Sequence, residues 1–420
     1  MTEDPPLLAV EDLKTHFPVT EGLLRREVGR VRAVDGVTFA VGRGETVGLV
    51  GESGSGKTTT AHTVLGLEEP TDGEVRFEGT PVSALSGAAK REFRRRVQLV
   101  VQDPNEAFDP RTRVGRAVAE PLRLHGLDDA DRRETIVADL LERVGLSADD
   151  VDRYPHEFSD GEKQRLSIAR ALTVDPDLVV ADEPTSALDA RTEAELLGLL
   201  SEIRESFDVS VLFISHDLDT VRRFCDRVAV LYLGEIVERG PTDEVLSSPA
   251  HPYTRLLLDS VPSLDPGERG LGRPLTESVP DPADPPGGCR FHTRCPDLIQ
   301  PDGVDLPDDV WRAVARFRFA AATEELPPAA TDADEPGAVR AALGLGEPVP
   351  DEPVEAAVAD AAAAVADGDR ERAAGRLADA VPTVCERESP DETAVNGCSV
   401  SCHRYDAAEP GEPLVGADDD

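Results

Sequence analysis

The sequence predicts an α/β fold built on a parallel sheet. Three observations carry this. Apolar segments rich in β-branched residues alternate with segments of helical spacing over residues 1–262. A glycine-rich loop joins one apolar segment to a helix-like one. A further apolar segment ends in a pair of carboxylates.

In chain order, residues 41–52 (VGRGETVGLVGE) read as a strand entering a glycine loop, and 58–67 (TTTAHTVLGL) as the helix that follows. Residues 97–102 (VQLVVQ) form a buried-strand run, and 132–146 (RRETIVADLLERVGL) carry helical apolar spacing. The segments 178–182 (LVVAD) and 209–215 (VSVLFIS) read as short strands. Residues 227–240 (RVAVLYLGEIVERG) read as a hairpin with Gly234 at its turn. Beyond about residue 262 Pro, Gly and Asp become dense, so the domain is expected to span 1–262 and an extension 263–420. Within the extension, 310–319 is expected to be a short helix and 321–353 loop or linker. From Val354 an Ala-rich helix aligns Val354, Val358, Ala361 and Val365 on one narrow face, read as a docked helix. The end, GADDD, reads as a disordered acidic tail.

Charge narrows the function classes. Lys+Arg total 44 and Asp+Glu 83, a formal net charge of −39, and the only lysines are Lys14, Lys57, Lys90 and Lys163. Halophiles use such an excess of carboxylates to stay soluble in strong salt, and a halophile is the expectation; the competing reading is a cationic partner. Nucleic acid is not expected as a partner, because its phosphates call for basic patches. No apolar run is long enough to span a membrane, and MTEDPPLLAV lacks the basic start and apolar stretch of a signal peptide, so a cytosolic location is expected. The cysteines of such a chain are not expected to form structural disulfides.

The run Gly51-Glu-Ser-Gly-Ser-Gly-Lys-Thr58 fits the phosphate-binding loop and lies between a strand and a helix, as the pattern requires. Backbone N–H groups and the helix N-terminus would meet phosphates there. Lys57 would reach the β- and γ-phosphates, and Thr58 would ligate Mg²⁺. Gly51, Ser53, Gly54, Ser55, Gly56, Lys57, Thr58 and Thr59 are therefore the candidate nucleotide contacts. Asp182 would hold Mg²⁺ through water, and Glu183 would polarise the attacking water.

Further segments bring a family into view. Phe158-Ser-Asp-Gly-Glu-Lys-Gln-Arg165, just before the 178–183 segment, resembles the signature of ABC ATPases, whose usual core reads Leu-Ser-Gly-Gly-Gln. Gln102 in VVQDP matches their Q-loop, Ser186-Ala-Leu-Asp189 the D-loop and His216 in FISHDL the switch histidine. Phe17 sits where an aromatic usually stacks on adenine, with plain core as its alternative. The resemblance implies a P-loop ABC ATPase domain with a parallel sheet core, an antiparallel β subdomain and a helical signature subdomain at about 104–165. It implies ATP and Mg²⁺ as ligands and two ATPases clamping two ATP molecules head to tail. Glu183, His216 and Gln102 would act in catalysis, Thr58, Gln102 and Asp182 on Mg²⁺, and Ser159 and Gly161 on the partner's nucleotide. Phe158, Asp160 and Glu162 depart from the usual signature, and the last two add negative charge beside that nucleotide.

The segment His251-Pro-Tyr-Thr resembles one in oligopeptide/dipeptide importers, and the 288–296 segment resembles their Cys-bearing C-terminal region. Cys289, Cys295, Cys385 and Cys402 match its cysteines, with an acidic Ala/Pro-rich insertion at about 297–382; Cys398 is extra, and Cys225 reads as a core thiol. The resemblance implies a four-iron–four-sulfur cluster, with a zinc site or unmetallated thiols as alternatives. It also implies two permease subunits, a second homologous ATPase and an extracellular solute-binding protein as partners, at the cytoplasmic face of the cell membrane. The cargo implied is peptide, with nickel or sugar as alternatives. A soluble ABC ATPase acting outside transport is the remaining reading.

Overall fold

The computed structural model describes residues 5–22, 26–186, 188–260, 274, 276–323, 325–406 and 414. The chain divides into two units, Met1–Leu246 and Ser247–Asp420. This differs from the boundary expected at 262 and assigns the HPYT segment to the second unit.

The first unit begins with two long strands, β1 (Leu8–Glu21) and β2 (Arg26–Val41), which pair antiparallel with several register shifts. Strand β3 (Thr46–Val50) runs into the glycine loop and helix α1 (Lys57–Val64). Strands β4 (Asp72–Phe77) and β5 (Thr80–Pro81) return to the first pair and give an antiparallel sheet of order β2-β1-β4-β5.

The second sheet holds the site. It adds β6 (Val97–Val100), β7 (Leu178–Asp182), β8 (Ser210–Ser215), β9 (Arg227–Tyr232) and β10 (Glu235–Pro241) to β3, in the order β10-β9-β3-β8-β7-β6 within this unit. All pairs are parallel except the β9–β10 hairpin. Every residue of β3, β7 and β8 is buried. That is why these strands read as continuous apolar runs with no alternation: helices cover both faces of a parallel sheet.

The helices of this unit are α2 (Gly87–Arg96), α3 (Val114–Val118), α4 (Glu120–Leu124), α5 (Ala130–Arg143), α6 (Asp160–Leu172), α7 (Ala190–Phe207) and α8 (Leu218–Phe224), and α9 (Thr242–Ser247) ends it. The predicted helical region at 104–165 corresponds to α3 to α6, and α6 runs on to Leu172. Cys225 caps the C-terminus of α8 and is buried.

The second unit opens with α10 (Pro252–Asp259). Its main body comprises α11 (Asp308–Ala322), α12 (Pro328–Thr331), α13 (Pro336–Ala342), α14 (Glu352–Ala366), α15 (Arg370–Ala380) and α16 (Val384–Arg387). The hairpin β11 (Glu392–Val395) and β12 (Cys398–Ser401) follows. The 321–353 segment is not a linker. It forms α12 and α13 and buries Ala330, Val339, Leu343, Leu345 and Val349 in one core with α11, α14 and α15. The narrow face expected of α14 is wider in fact, since Ala362 and Ala364 are buried beside Val354, Val358, Ala361 and Val365. The expected GADDD tail lies outside the described residues.

Candidate active site

The glycine loop crosses from the end of β3 to the start of α1. Gly56 caps that helix with φ 107, and a Cβ there would lie 2.1 Å from the carbonyl oxygen of Ala33, so only glycine fits. The β9–β10 turn braces the loop: Gly234 N–H donates to Ser55 O at 2.8 Å, and Gly234 O accepts from Asp35 N–H at 2.8 Å. Within the loop, Lys57 Nζ donates to Gly51 O at 2.8 Å and Glu52 O at 3.0 Å. Lys57 is buried, and burial pushes its ammonium below the usual lysine range, with Glu183, Asp182 and Glu52 acting against that shift. Ser55 is also buried, and its hydroxyl has no hydrogen-bond partner among the described residues. An orphaned hydroxyl and a cation curled onto its own loop fit a site that receives an anion.

Two strand ends supply the carboxylates. Asp182 closes β7 and is buried; burial raises its pKa, while a hydrogen bond from Thr58 Oγ at 3.5 Å acts the other way. Glu183 follows in the left-handed region at φ 44, with its N–H on Ile214 O at 3.0 Å. That backbone turn is uncommon for a non-glycine residue, and β8 holds it in place. Glu183 Oε2 accepts from Gln102 Nε2 at 2.9 Å and lies 3.2 Å from His216 Nδ1. Residues from three separate segments therefore meet on one carboxylate oxygen. Ser186 Oγ donates to Glu183 O at 3.1 Å, and Asp189 caps α7; Ala187 between them lies outside the described residues.

Ser159 is the N-cap of α6, and Gly161 lies in its first turn. Ser159 N–H and hydroxyl both donate to Glu162 Oε2 at 2.8 Å, and Glu162 N–H returns to Ser159 Oγ at 3.4 Å, a capping box. Lys163 Nζ lies 3.0 Å from Asp160 and donates to Asn105 Oδ1 at 2.9 Å, so a cation stands beside the added charge. Phe158 is buried under the Arg153 guanidinium, 4.1 Å from the ring centroid. Phe17 lies on β1 opposite Val31 and is 37% exposed, more than a core residue would be.

Comparison with known proteins agrees with this arrangement. Residues 34–186 match the ABC transporter family, 237–300 the oligopeptide/dipeptide transporter C-terminal region, and 308–397 a domain of unknown function. The chain is 45% identical over 295 residues to the oligopeptide transport ATP-binding protein AppF of Bacillus subtilis, covering 69% of this chain and 89% of that one. The chain belongs to the ABC transporter ATP-binding proteins. The dipeptide transport ATP-binding protein DppF of Haemophilus influenzae is 42% identical over 293 residues, 70% of this chain and 89% of its own. The ATP-binding cassette MJ0796, solved as a dimer in a post-hydrolysis state with ADP and Pi, superposes with a TM-score of 0.50 at 27% identity, over 56% of this chain and 98% of that one. As a member of this family the chain binds ATP and Mg²⁺ and hydrolyses ATP in the service of transport.

The second unit of this ABC subunit holds five cysteines, all but Cys225. Cys289, Cys295, Cys385 and Cys402 line one small cavity together with His251, His292 and His403. His251 comes from the HPYT segment, which the sequence joined to the cysteines by family resemblance but not as part of one cavity. Burial drives its imidazole down to about 3. Burial lifts the Cys295 thiol well above its usual range, with Cys385, Asp297, Cys402 and Cys289 adding to it, and lifts Cys402 to about 12. Cys398 sits on β12 and is not a lining residue. Among the described residues, no three His, Cys, Asp or Glu side chains are grouped so as to hold a single metal ion.

Proposed function

We propose that this chain is one of two ATPases whose hydrolysis drives uptake of oligopeptides or dipeptides. The convergence of Gln102 and His216 on the Glu183 carboxylate, next to Asp182 and the loop, supports the hydrolysis, and the match to the oligopeptide/dipeptide transporter C-terminal region supports the cargo. Glu183 would orient and polarise the attacking water, His216 would support the charge that develops at the γ-phosphate, and Lys57 would turn from its loop carbonyls to the β- and γ-phosphates. Asp182 and Thr58 would hold Mg²⁺, and Gln102 would leave Glu183 to join it. Gly51, Ser53, Gly54, Ser55, Gly56 and Thr59 would line the phosphates and Phe17 the base. Ser159 and Gly161 would close the partner ATPase's site. Positioning a general base contributes about 10²–10⁴-fold, so Glu183→Gln should lower hydrolysis by that order while ATP still binds. A Glu183→Gln protein hydrolysing ATP at the parental rate would sink the proposal.

Two permeases and an extracellular solute-binding protein complete the proposed complex, with this subunit at the cytoplasmic face of the membrane. Among the described residues no helix is long and apolar enough to cross a membrane, so attachment would come through partners. A groove of about 710 Å³ beside α3, α4 and α5 is the surface proposed for permease contact. Cys289, Cys295, Cys385 and Cys402 are proposed to hold a four-iron–four-sulfur cluster, which would supply positive charge to thiolates that are costly to bury alone. Anaerobically purified protein should then be brown and contain iron; colourless, iron-free protein would reject this. The net charge of −39 supports the reading of a protein adapted to strong salt.

A further inference from the structure

We infer that the helical segment matching a domain of unknown function completes the cysteine cavity, carrying Cys385 to Cys289 and locking it there through Arg318. Cys289 and Cys295 lie before this segment, and Cys385 lies near its far end. An insertion that merely interrupted a lobe would keep its own closed core. Here the core is shared: Leu298, which precedes the matched segment 308–397, is buried with Trp311, Val314, Val384 and Cys385 from within it, and Cys289 packs against the same cluster.

The joint itself is specific. Cys289 N–H donates to Cys385 O at 2.8 Å. Gly288 has φ 62, and a Cβ there would lie 2.4 Å from the same oxygen, so the approach requires glycine. Thr383, fully buried, donates its hydroxyl to Ile299 O at 2.9 Å. On the other side, Arg318 of α11 is buried and spends its guanidinium on the residues flanking Cys385. One nitrogen donates to Val381 O at 2.8 Å and another pairs with the Glu386 carboxylate. A planar fork of this kind sets both position and orientation of its partner, which a lysine cannot reproduce. Phe319, next along α11, meets the His292 ring edge-on at 5.4 Å, tying the helix to the first cysteine pair as well. Arg318 is thus a positioning residue for Cys385.

The inference rests on reading the four cysteines as one site and is independent of the ATPase reading. Its test uses the full chain, reduced and treated with a chelator, pulsed with iodoacetamide and read cysteine by cysteine by mass spectrometry. Arg318→Gln and Gly288→Ala should each raise labelling of Cys385 by about tenfold or more, the signature of a local opening, with Cys225 labelling and ATP binding unchanged. Arg318→Lys should restore only part of the protection. Parental labelling of Cys385 in both variants would overturn the inference. So would equal acceleration of all four cavity thiols, or loss of ATP binding in Arg318→Gln, since either would make Arg318 a general folding residue. Failure of the single-site reading has a separate mark: Cys295 would then label at its parental rate in Cys385→Ala.

Discussion

At the residue scale, chemistry concentrates on a few buried charges. Lys57 is held by two carbonyls and surrounded by Asp182, Glu183 and Glu52. Removing it leaves those carboxylates facing an incoming polyphosphate with no cation between them. Lys57→Ala should therefore lower ATP affinity by about a hundredfold or more, equivalent to losing a charge-assisted contact of about 3 kcal/mol, as titration calorimetry would read. Unchanged affinity would mean that Lys57 points elsewhere when nucleotide binds. Glu78 offers a pH test away from the site. Hydrogen bonds from Arg96, and then Arg43, hold its carboxyl at about 2, and Arg96 also reaches Asp177 at 2.6 Å. A depressed folded-state pKa stabilises the fold above the usual carboxylate pKa and loses that contribution as pH falls towards the folded value. The melting temperature of the parent should exceed that of Glu78→Gln near pH 6, and the gap should shrink between about pH 4.5 and 2. A constant gap would place the effect in packing. These residues differ in how far the sequence revealed them. Gly56, Lys57 and Asp182 were legible because loop spacing and strand ends encode backbone geometry. The roles of Arg318 and His251 were not, since the residues flanking Cys385 that Arg318 holds and the cysteines whose cavity His251 lines lie far along the chain, and no local spacing announces them.

At the element scale, the clearest departure from expectation is the 321–353 segment. Its prolines suggested linker, yet Pro328, Pro336 and Pro353 sit in the first turns of α12, α13 and α14. There the missing N–H costs nothing and the fixed φ favours the helix, so a proline-rich reading and a helical one share the same letters. The long β1–β2 pair had no strand reading of its own from composition, because most of the first half of β2 is exposed and charged. Its place in the fold came only through family resemblance. The signature helix α6 shows the opposite case, an altered motif whose structural role is intact. Glu162 completes the capping box as a carboxylate, and Lys163 answers Asp160. Ser159→Ala should cost about 1 kcal/mol of stability through the lost cap and should also slow hydrolysis in the assembled pair. Glu162→Gln, which keeps an acceptor for Ser159 but removes charge, should preserve stability. If it leaves the salt dependence of hydrolysis unaltered, the extra carboxylate has no electrostatic influence on the partner's nucleotide. Helix α14 gives a packing test: Val358 is fully buried, and an unpaired charge there costs several kcal/mol, so Val358→Asp should expose the second unit to proteolysis.

At the scale of the whole molecule, the charge decides the conditions under which any of this operates. A net charge of −39 makes the folded state repel itself, because folding brings the carboxylates closer than they are in the open chain. The local ion pairs offset only part of this: Arg43, Arg76 and Arg96 are matched to Glu and Asp neighbours, but Asp+Glu outnumber Lys+Arg 83 to 44. With a Debye length of about 10 Å at 0.1 M salt, neighbouring carboxylates still act on each other across the surface; at 1 M, with about 3 Å, each is nearly isolated. Raising KCl from about 0.1 to 1 M should therefore raise the melting temperature, most steeply at the low end where screening changes fastest. ATP binding should strengthen over the same range, because the polyanion approaches an acidic protein. Screening would also weaken the proposed contact between Lys57 and the phosphates, but Lys57 itself is buried and shielded from bulk ions, so the long-range gain should win. Replacing a set of exposed carboxylates on α5, such as Asp131, Glu134 and Glu142, by their amides should flatten the salt curve without moving its high-salt end. A melting temperature that falls as KCl rises would mean that ion pairing outweighs repulsion, and the acidic surface would then call for a cationic partner as its explanation.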